Sequence, residues 1–294
     1  GGVEALMDLV AELPTDLPAS VFIVQHTAPT PPSTLAKILA RHGPLPTESA
    51  GDRQEIRRGH IYVAPSDRHL LVDRSYMYLT RGPRENRTRP AVDPLFRSAA
   101  VVHGAHVIGV VLSGALDDGT SGLLAIKRCG GIAVVQDPAD AVYPDMPQSA
   151  LDAVEVDYTA PLRDMAGLLA RLAAEEPGAP SSPPLDLLAE VEISRAGLGS
   201  AERMDELGEV AALTCAECGG PLWQIRDKKI TRFRCREGHA YTAKALASEL
   251  SDSVERSLWV AVQTMDERTR MLQRLGKEEE RTGRHRGAGS FLSR

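Results

Sequence analysis

The chain has 294 residues and a formal net charge of −6, with 43% apolar, 25% charged and only 4% aromatic residues. That length allows one large domain or two smaller ones, and the acidic balance excludes a nucleic-acid surface spread over the whole molecule. The absence of an apolar run of about 18 residues excludes a membrane-spanning helix, and no basic leader opens the chain, so a cytoplasmic protein without membrane insertion is expected.

Residues 3–13 read as a helix, with Val3, Leu6, Leu9 and Val10 on one face. It opens on Gly1-Gly2, as at a strand-to-helix turn. Residues 20–25 (SVFIVQ) have the length and apolarity of a strand. A proline-rich loop, 29–32, precedes a helix capped by Ser33 and carrying Leu35, Ile38 and Leu39. Residues 60–64 (HIYVA) predict another strand, 70–72 and 76–80 a hairpin around Asp73-Arg74, and 94–102 a helix. Between them, the arginine cluster 84–89 reads as a solvated loop. The run 106–113 (HVIGVVLS) is almost wholly apolar, the pattern of a strand covered on both faces. Gly119–122 lead into a helix through Leu123, Leu124 and Ile126. A strand at 131–136 and helices at 147–151 and 162–172 follow.

This alternation predicts an α/β fold with a doubly wound, mostly parallel sheet and helices on both faces, plus a small zinc-ribbon-like module and a long C-terminal helix. The expected divisions are a first domain at 1–174, a linker at 175–212 marked by EEPGAPSSPPL, a cysteine module at 213–242, an amphipathic helix at 243–280 and a disordered tail at 281–294. In the long helix, Leu246, Leu250, Val254, Leu258, Val262 and Met265 recur at three- and four-residue steps. That stripe is expected to be buried against the core, a second copy or a partner.

His26 directly follows one predicted strand, and Asp117-Asp118 follow another, so both lie at the rim where doubly wound folds bind ligands. An imidazole and a carboxylate there suit the base and orienting acid of a nucleophilic triad. Other readings of the same residues are a structural loop histidine, a phosphate cradle at Gly114–122 and a magnesium site at Asp117-Asp118. The glycine spacing does not fit the cradle, and no further acidic cluster supports the magnesium.

Six separated segments carry a resemblance: GGVEAL at the start, VFIVQHT around His26, RRGHIYVAPSDRHLLV at 57–72, RPAVDPLFRSAA at 89–100, GVVLSGALDDGTSGLLAIKRCGG at 109–131 and AVVQDPADAVYPDMPQSAL at 133–151. In this order they resemble the catalytic domain of the chemotaxis protein-glutamate methylesterases. The resemblance implies a Ser-His-Asp enzyme that hydrolyses glutamyl methyl esters on methyl-accepting chemoreceptors, releases methanol and also deamidates receptor glutamines. It places the histidine on His26 and the acid on Asp118 rather than Asp117. It makes Gly1 and Gly2 the turn that supplies the oxyanion-binding N–H groups, and puts the serine two residues before Gly1. Ser20, Ser66 and Ser113 lack the sharp elbow that exposes a nucleophile. The chain is therefore expected to be inactive if it is complete as given, and otherwise to be part of a longer chain whose upstream segment carries the serine. Ala115-Leu116 depart from the family's Met-Gly. A non-catalytic adaptor that binds a receptor or a histidine kinase is the alternative.

Cys215-x2-Cys218 and Cys235-x3-His239 have tetrahedral metal spacing, so a structural zinc is expected there, with no cofactor for catalysis. The ribbon also carries Arg226, Lys228, Lys229, Arg232, Arg234 and Arg236, but Trp223 and Phe233 equally suit a small core, and no nucleic-acid partner is expected. Cys129 is expected to be packed core. The C-terminal helix is a candidate surface for self-association.

Overall fold

The computed structural model describes residues 2–27, 34–179, 181–196, 201–226 and 229–281. Gly1, the 29–32 loop, the cap Ser33 and nearly all of the 281–294 tail lie outside the described residues. Residues up to Leu246 form one compact unit, and those from Ala247 onward a second.

The first unit opens with α1 (Gly2–Glu12), followed by β1 (Val21–Ile23), α2 (Leu35–Leu39), β2 (Thr47–Ser49), β3 (Gln54–Glu55), β4 (Ile61–Val63), β5 (His69–Val72) and β6 (Tyr76–Thr80). Then come α3 (Val92–His103), β7 (Ile108–Val111), α4 (Thr120–Arg128), β8 (Ile132–Gln136), α5 (Asp145–Ala153), β9 (Tyr158–Ala160) and α6 (Leu162–Ala174). Strands β2, β3 and β9 have no counterpart in the sequence reading. Each is two or three residues long, too short for an alternation to register.

The parallel strands form two three-stranded sheets, ordered β1-β4-β2 and β7-β8-β9, while β3-β6-β5 is a small antiparallel sheet. The expected mostly parallel strands are thus present, divided among separate ladders. Among the described residues, β1 and β7 share no ladder. Side-chain packing joins the two parallel sheets, because Ile23 and Ile61 of one share an apolar cluster with Val134 of the other.

The layering of helices on both faces is visible in β8. Val134 points into a cluster with Leu6 and Leu9 of α1, Leu39 of α2 and Met165 of α6. Its neighbours Ala133 and Val135 point the opposite way, to Ala100 of α3, Leu123 and Ile126 of α4 and Ala150 of α5. A period of two along the strand divides the domain into its two apolar layers.

The stretch 175–212 is more than the linker its prolines suggest. It carries α7 (Leu185–Ala196), α8 (Ala201–Leu207) and most of β10 (Gly208–Thr214). Strands β11 (Pro221–Ile225), β12 (Arg232–Cys235) and β13 (Ala240–Thr242) complete an antiparallel sheet ordered β10-β11-β12-β13. Leu222, Phe233, Tyr241 and Leu246 form its small core. The last element is α9 (Ala243–Arg281). Along its apolar stripe, Val254, Leu258 and Met265 are 60%, 62% and 69% exposed in the single chain. No helix among the described residues is long and apolar enough to cross a membrane.

Candidate active site

β1 and β7 run parallel to their own sheet partners and bring their carboxyl ends to one rim. His26 lies three residues beyond β1, and Asp118 in the loop beyond β7. His26 Nε2 sits 2.7 Å from Asp118 Oδ2. The imidazole is 31% exposed and the carboxylate 3%, so one group faces the surface and the other holds it from below.

Asp118 is fixed from every side. Its Oδ2 also accepts the Val92 N–H at 2.7 Å. Its Oδ1 accepts the Gly119 N–H and the Asn86 side-chain amide, both at 3.0 Å. Burial pushes its pKa up, but the His26 bond and charge, together with those N–H donors, hold it below the usual carboxylate range. Burial pulls His26 down, while the bond and charge of Asp118 and the charge of Asp93 outweigh it, so His26 stays above its ordinary value. An ionised acid that orients a histidine in this way keeps the proton on Nε2 and leaves Nδ1 as the basic nitrogen.

The first turn of α1 lies against this loop. A Cβ on Gly2 would stand 2.7 Å from the side-chain oxygen of Gln25, the residue before His26. A side chain there would have to displace the end of Gln25, and the start of a helix offers unpaired N–H groups. Gly1 lies outside the described residues.

Asp117 plays a different part from its neighbour. It is buried and accepts the Thr242 hydroxyl at 2.7 Å. Just before Asp117, Leu116 adopts φ 64°, a left-handed conformation in which a side chain is strained.

Sequence reasoning missed Asn86 and Asp93. Asn86 donates to both Asp93 Oδ2 and Asp118 Oδ1, at 2.9 and 3.0 Å. Asp93 Oδ1 accepts the N–H groups of Gly119 and Gly122, at 3.1 and 2.6 Å, and so ties the start of α4 to α3. Burial and the charge of Asp118 raise Asp93 to about 7. The loop read as solvated therefore turns inward, with Glu85 and Asn86 buried. The signal available was a lone Glu-Asn pair among arginines, since such a pair needs cations or amides to meet it.

Glu85 meets three partners. Arg97 of α3 and Arg234 of β12 pair with its carboxylate, and Ser194 of α7 donates to it. Glu190 of α7 accepts a two-point bond from Arg232 at 2.8 and 2.9 Å. Arg232 and Arg234 thus point into the protein rather than forming a nucleic-acid surface.

In the ribbon, the ligand atoms of Cys215, Cys218, Cys235 and His239 all lie within 4.8 Å of one another. Cys218 Sγ is 3.7 Å from Cys235 Sγ, and Cys235 Sγ is 3.4 Å from His239 Nδ1. A tetrahedron built on metal–sulfur and metal–nitrogen bonds of the usual length for zinc has edges of about 3.8 and about 3.5 Å. Hydrogen bonds from Cys235 first, and also from His239 and Tyr241, pull the Cys215 thiol down toward its ligand form. His239 turns Nε2 to Glu217 Oε2 at 3.4 Å, which orients the ring. Cys129 is 1% exposed in the core beside α4.

The family model described as CheB methylesterase matches residues 1–169. A Leptospira interrogans protein is 39% identical over 173 residues, covering 58% of this chain and 90% of its own length. The "Protein-glutamate methylesterase/protein-glutamine glutaminase 1" of Burkholderia pseudomallei is 40% identical over 179 residues, 59% of this chain but 49% of that protein, so the chain spans about half of it. Among solved structures, the Thermotoga maritima CheB methylesterase catalytic domain aligns with a TM-score of 0.56 and 31% identity, over 58% of this chain and 93% of that one.

Proposed function

The chain belongs to the CheB methylesterase family, and from that membership we propose that it serves as a protein-glutamate methylesterase, acting on glutamyl methyl esters of chemoreceptors and deamidating their glutamines. The observation that carries the reading is the 2.7 Å pairing of His26 with a buried Asp118 at the strand-end rim. The nucleophile of this reading is a serine two residues before Gly1.

His26 Nδ1 takes the serine proton as the oxygen attacks the ester carbonyl. N–H groups at Gly1-Gly2 and the start of α1 hold the negative oxygen of the tetrahedral intermediate. His26 returns the proton to the departing methoxide, and methanol leaves. Water, deprotonated by the same nitrogen, then releases the glutamate side chain. Asp118 stays ionised throughout and stabilises the imidazolium.

The proposal includes a structural zinc on Cys215, Cys218, Cys235 and His239. Four protein ligands close the tetrahedron, so this metal holds the ribbon together and takes no part in ester hydrolysis. The exposed stripe of α9 supports a further contact, with a second copy of the chain or a histidine kinase. Sedimentation of the purified chain, which should be a dimer or larger at micromolar concentration, tests the self-contact. The site itself acts in the cytoplasm.

The test is methanol release from a methylated chemoreceptor fragment. Release by the chain extended with its native upstream segment, abolished by His26→Ala, is the expected result. A folded extended chain that releases no methanol from its cognate receptor would replace the esterase by a non-catalytic adaptor.

A further inference from the structure

The cysteine ribbon touches the His26–Asp118 pair through one residue. β12 ends on Cys235, and β13 begins immediately after His239. The turn between them is closed by Cys235 N–H to His239 O at 2.9 Å, and two of the four clustered ligands are its end posts. At its tip, a Cβ on Gly238 would stand 3.1 Å from Pro83 Cγ, so the turn is seated closely on the 82–86 segment.

The strand leaving this turn then grips Asn86. The Asn86 N–H donates to Ala240 O at 2.8 Å, and the Thr242 N–H donates to Asn86 Oδ1 at 3.1 Å. With its carbonyl occupied by Thr242, the side-chain amide has one orientation left, and its N–H groups reach Asp118 and Asp93. Asn86 holds φ 48°, a conformation that asparagine tolerates better than most residues. The Thr242 hydroxyl also reaches Asp117, the residue beside the acid.

We propose that the ribbon is a brace for the candidate esterase site, in which Asn86 is a positioning residue for Asp118 and metal at the cysteine–histidine cluster keeps the brace in place. The inference rests on the reading of His26–Asp118 as catalytic and of the cluster as a zinc site. Its consequence is that loss of metal, or oxidation of the thiols that bind it, loosens Asn86 and with it the carboxylate. Because coupling between sites is reciprocal, zinc binding and His26 protonation alter each other's affinity by the same factor.

The experiment follows the His26 ring by NMR in the histidine-labelled chain, first zinc-loaded and then chelated, alongside Asn86→Gly. Glycine keeps the positive φ and the backbone bond to Ala240 but deletes the side-chain amide. Both perturbations are expected to lower the His26 proton affinity at least threefold and to speed exchange of its Nε2 proton. His42, bonded to Ile38 O on α2, serves as the reporter of general unfolding and should stay unchanged. Zinc affinity should fall at least threefold in Asn86→Gly. In the upstream-extended chain the same variant should lower kcat with KM unchanged. A His26 ring indifferent to both perturbations, while chelation deprotects the β12 and β13 amides, overturns the brace. A zinc titration run in parallel separates the premises: failure to bind one zinc per chain overturns the metal half, and the Asn86→Gly shift still decides the rest.

Discussion

Arg234 and Glu85 stand 149 residues apart in the sequence and 3.3 Å apart in the fold, with 1% and 3% of their side chains exposed. Neither charge is viable alone at that depth, so the family-like domain and the ribbon share one buried electrostatic centre.

Glu85→Ala should therefore cost up to about 3–5 kcal/mol in urea unfolding at pH 7, since it leaves the buried Arg97 and Arg234 to share Glu190 with Arg232. The acid dependence has a fixed sign. Burial raises the Glu85 pKa, but Arg234 and Arg97 bring it down to about 2. A depressed carboxylate contributes stability that is full above its unfolded value, about 4.3, and lost as pH falls through its folded value. Unfolding midpoints should thus drop steeply between about pH 4 and pH 2, and less steeply in the variant. An equal slope in both proteins would contradict the assignment.

Asp118→Asn should reduce methanol release by the upstream-extended chain by about 10⁴, the loss that the equivalent change causes in serine proteases. The raised His26 places the rising limb of the rate above the ordinary imidazole range, because the base must be deprotonated to act. In Asp118→Asn the limb should move to lower pH. A pH–rate profile of both proteins reads the two effects, and unchanged turnover would sink the triad role of Asp118.

Leu116→Gly should stabilise the protein by about 1 kcal/mol, because φ 64° is strained for leucine and free for glycine. Thermal unfolding with and without the substitution measures it. A lower melting temperature would mean that packing of the half-buried leucine outweighs the strain.

Zinc removal should act first on the ribbon. After chelation, hydrogen exchange should rise in β11, β12 and β13 before it rises in β4 or β8, whose residues lie in the main core. Cys235→Ser, at the fully buried ligand, should mimic the chelated state and bind less than one metal per chain. Uniform loss of protection across both regions would show that the ribbon has no separate opening.

The parts of the fold legible in the sequence are those that repeat. Apolar residues in β8 and β4, the Asp73-Arg74 turn between β5 and β6, and the spacing of Cys215, Cys218, Cys235 and His239 are all local patterns. So were His26 and Asp118, which follow strands and match family motifs. The helix α7 was not legible as a regular period, because its inward face mixes Glu190 and Ser194 with Leu187, Val191 and Ile193. Glu190 and Ser194 are buried there while Leu185 is 83% exposed, so the apolar period that marks a helix is scrambled. Asn86, Asp93 and Thr242 escaped for a related reason. Their partners lie across loops and between modules, and no spacing along the chain encodes a hydrogen bond of that kind.

The shared electrostatic centre also sets where the polypeptide can be cut. The matched region stops at residue 169, and a fragment trimmed there would keep Glu85 and Arg97 but discard Arg234, Glu190 and the strand that grips Asn86. Water would enter a space shaped for guanidinium groups, and the acid beneath His26 would lose a donor. For this chain, the boundary of ancestry falls inside the compact unit that runs on to Leu246, so a cut at the first divides the second.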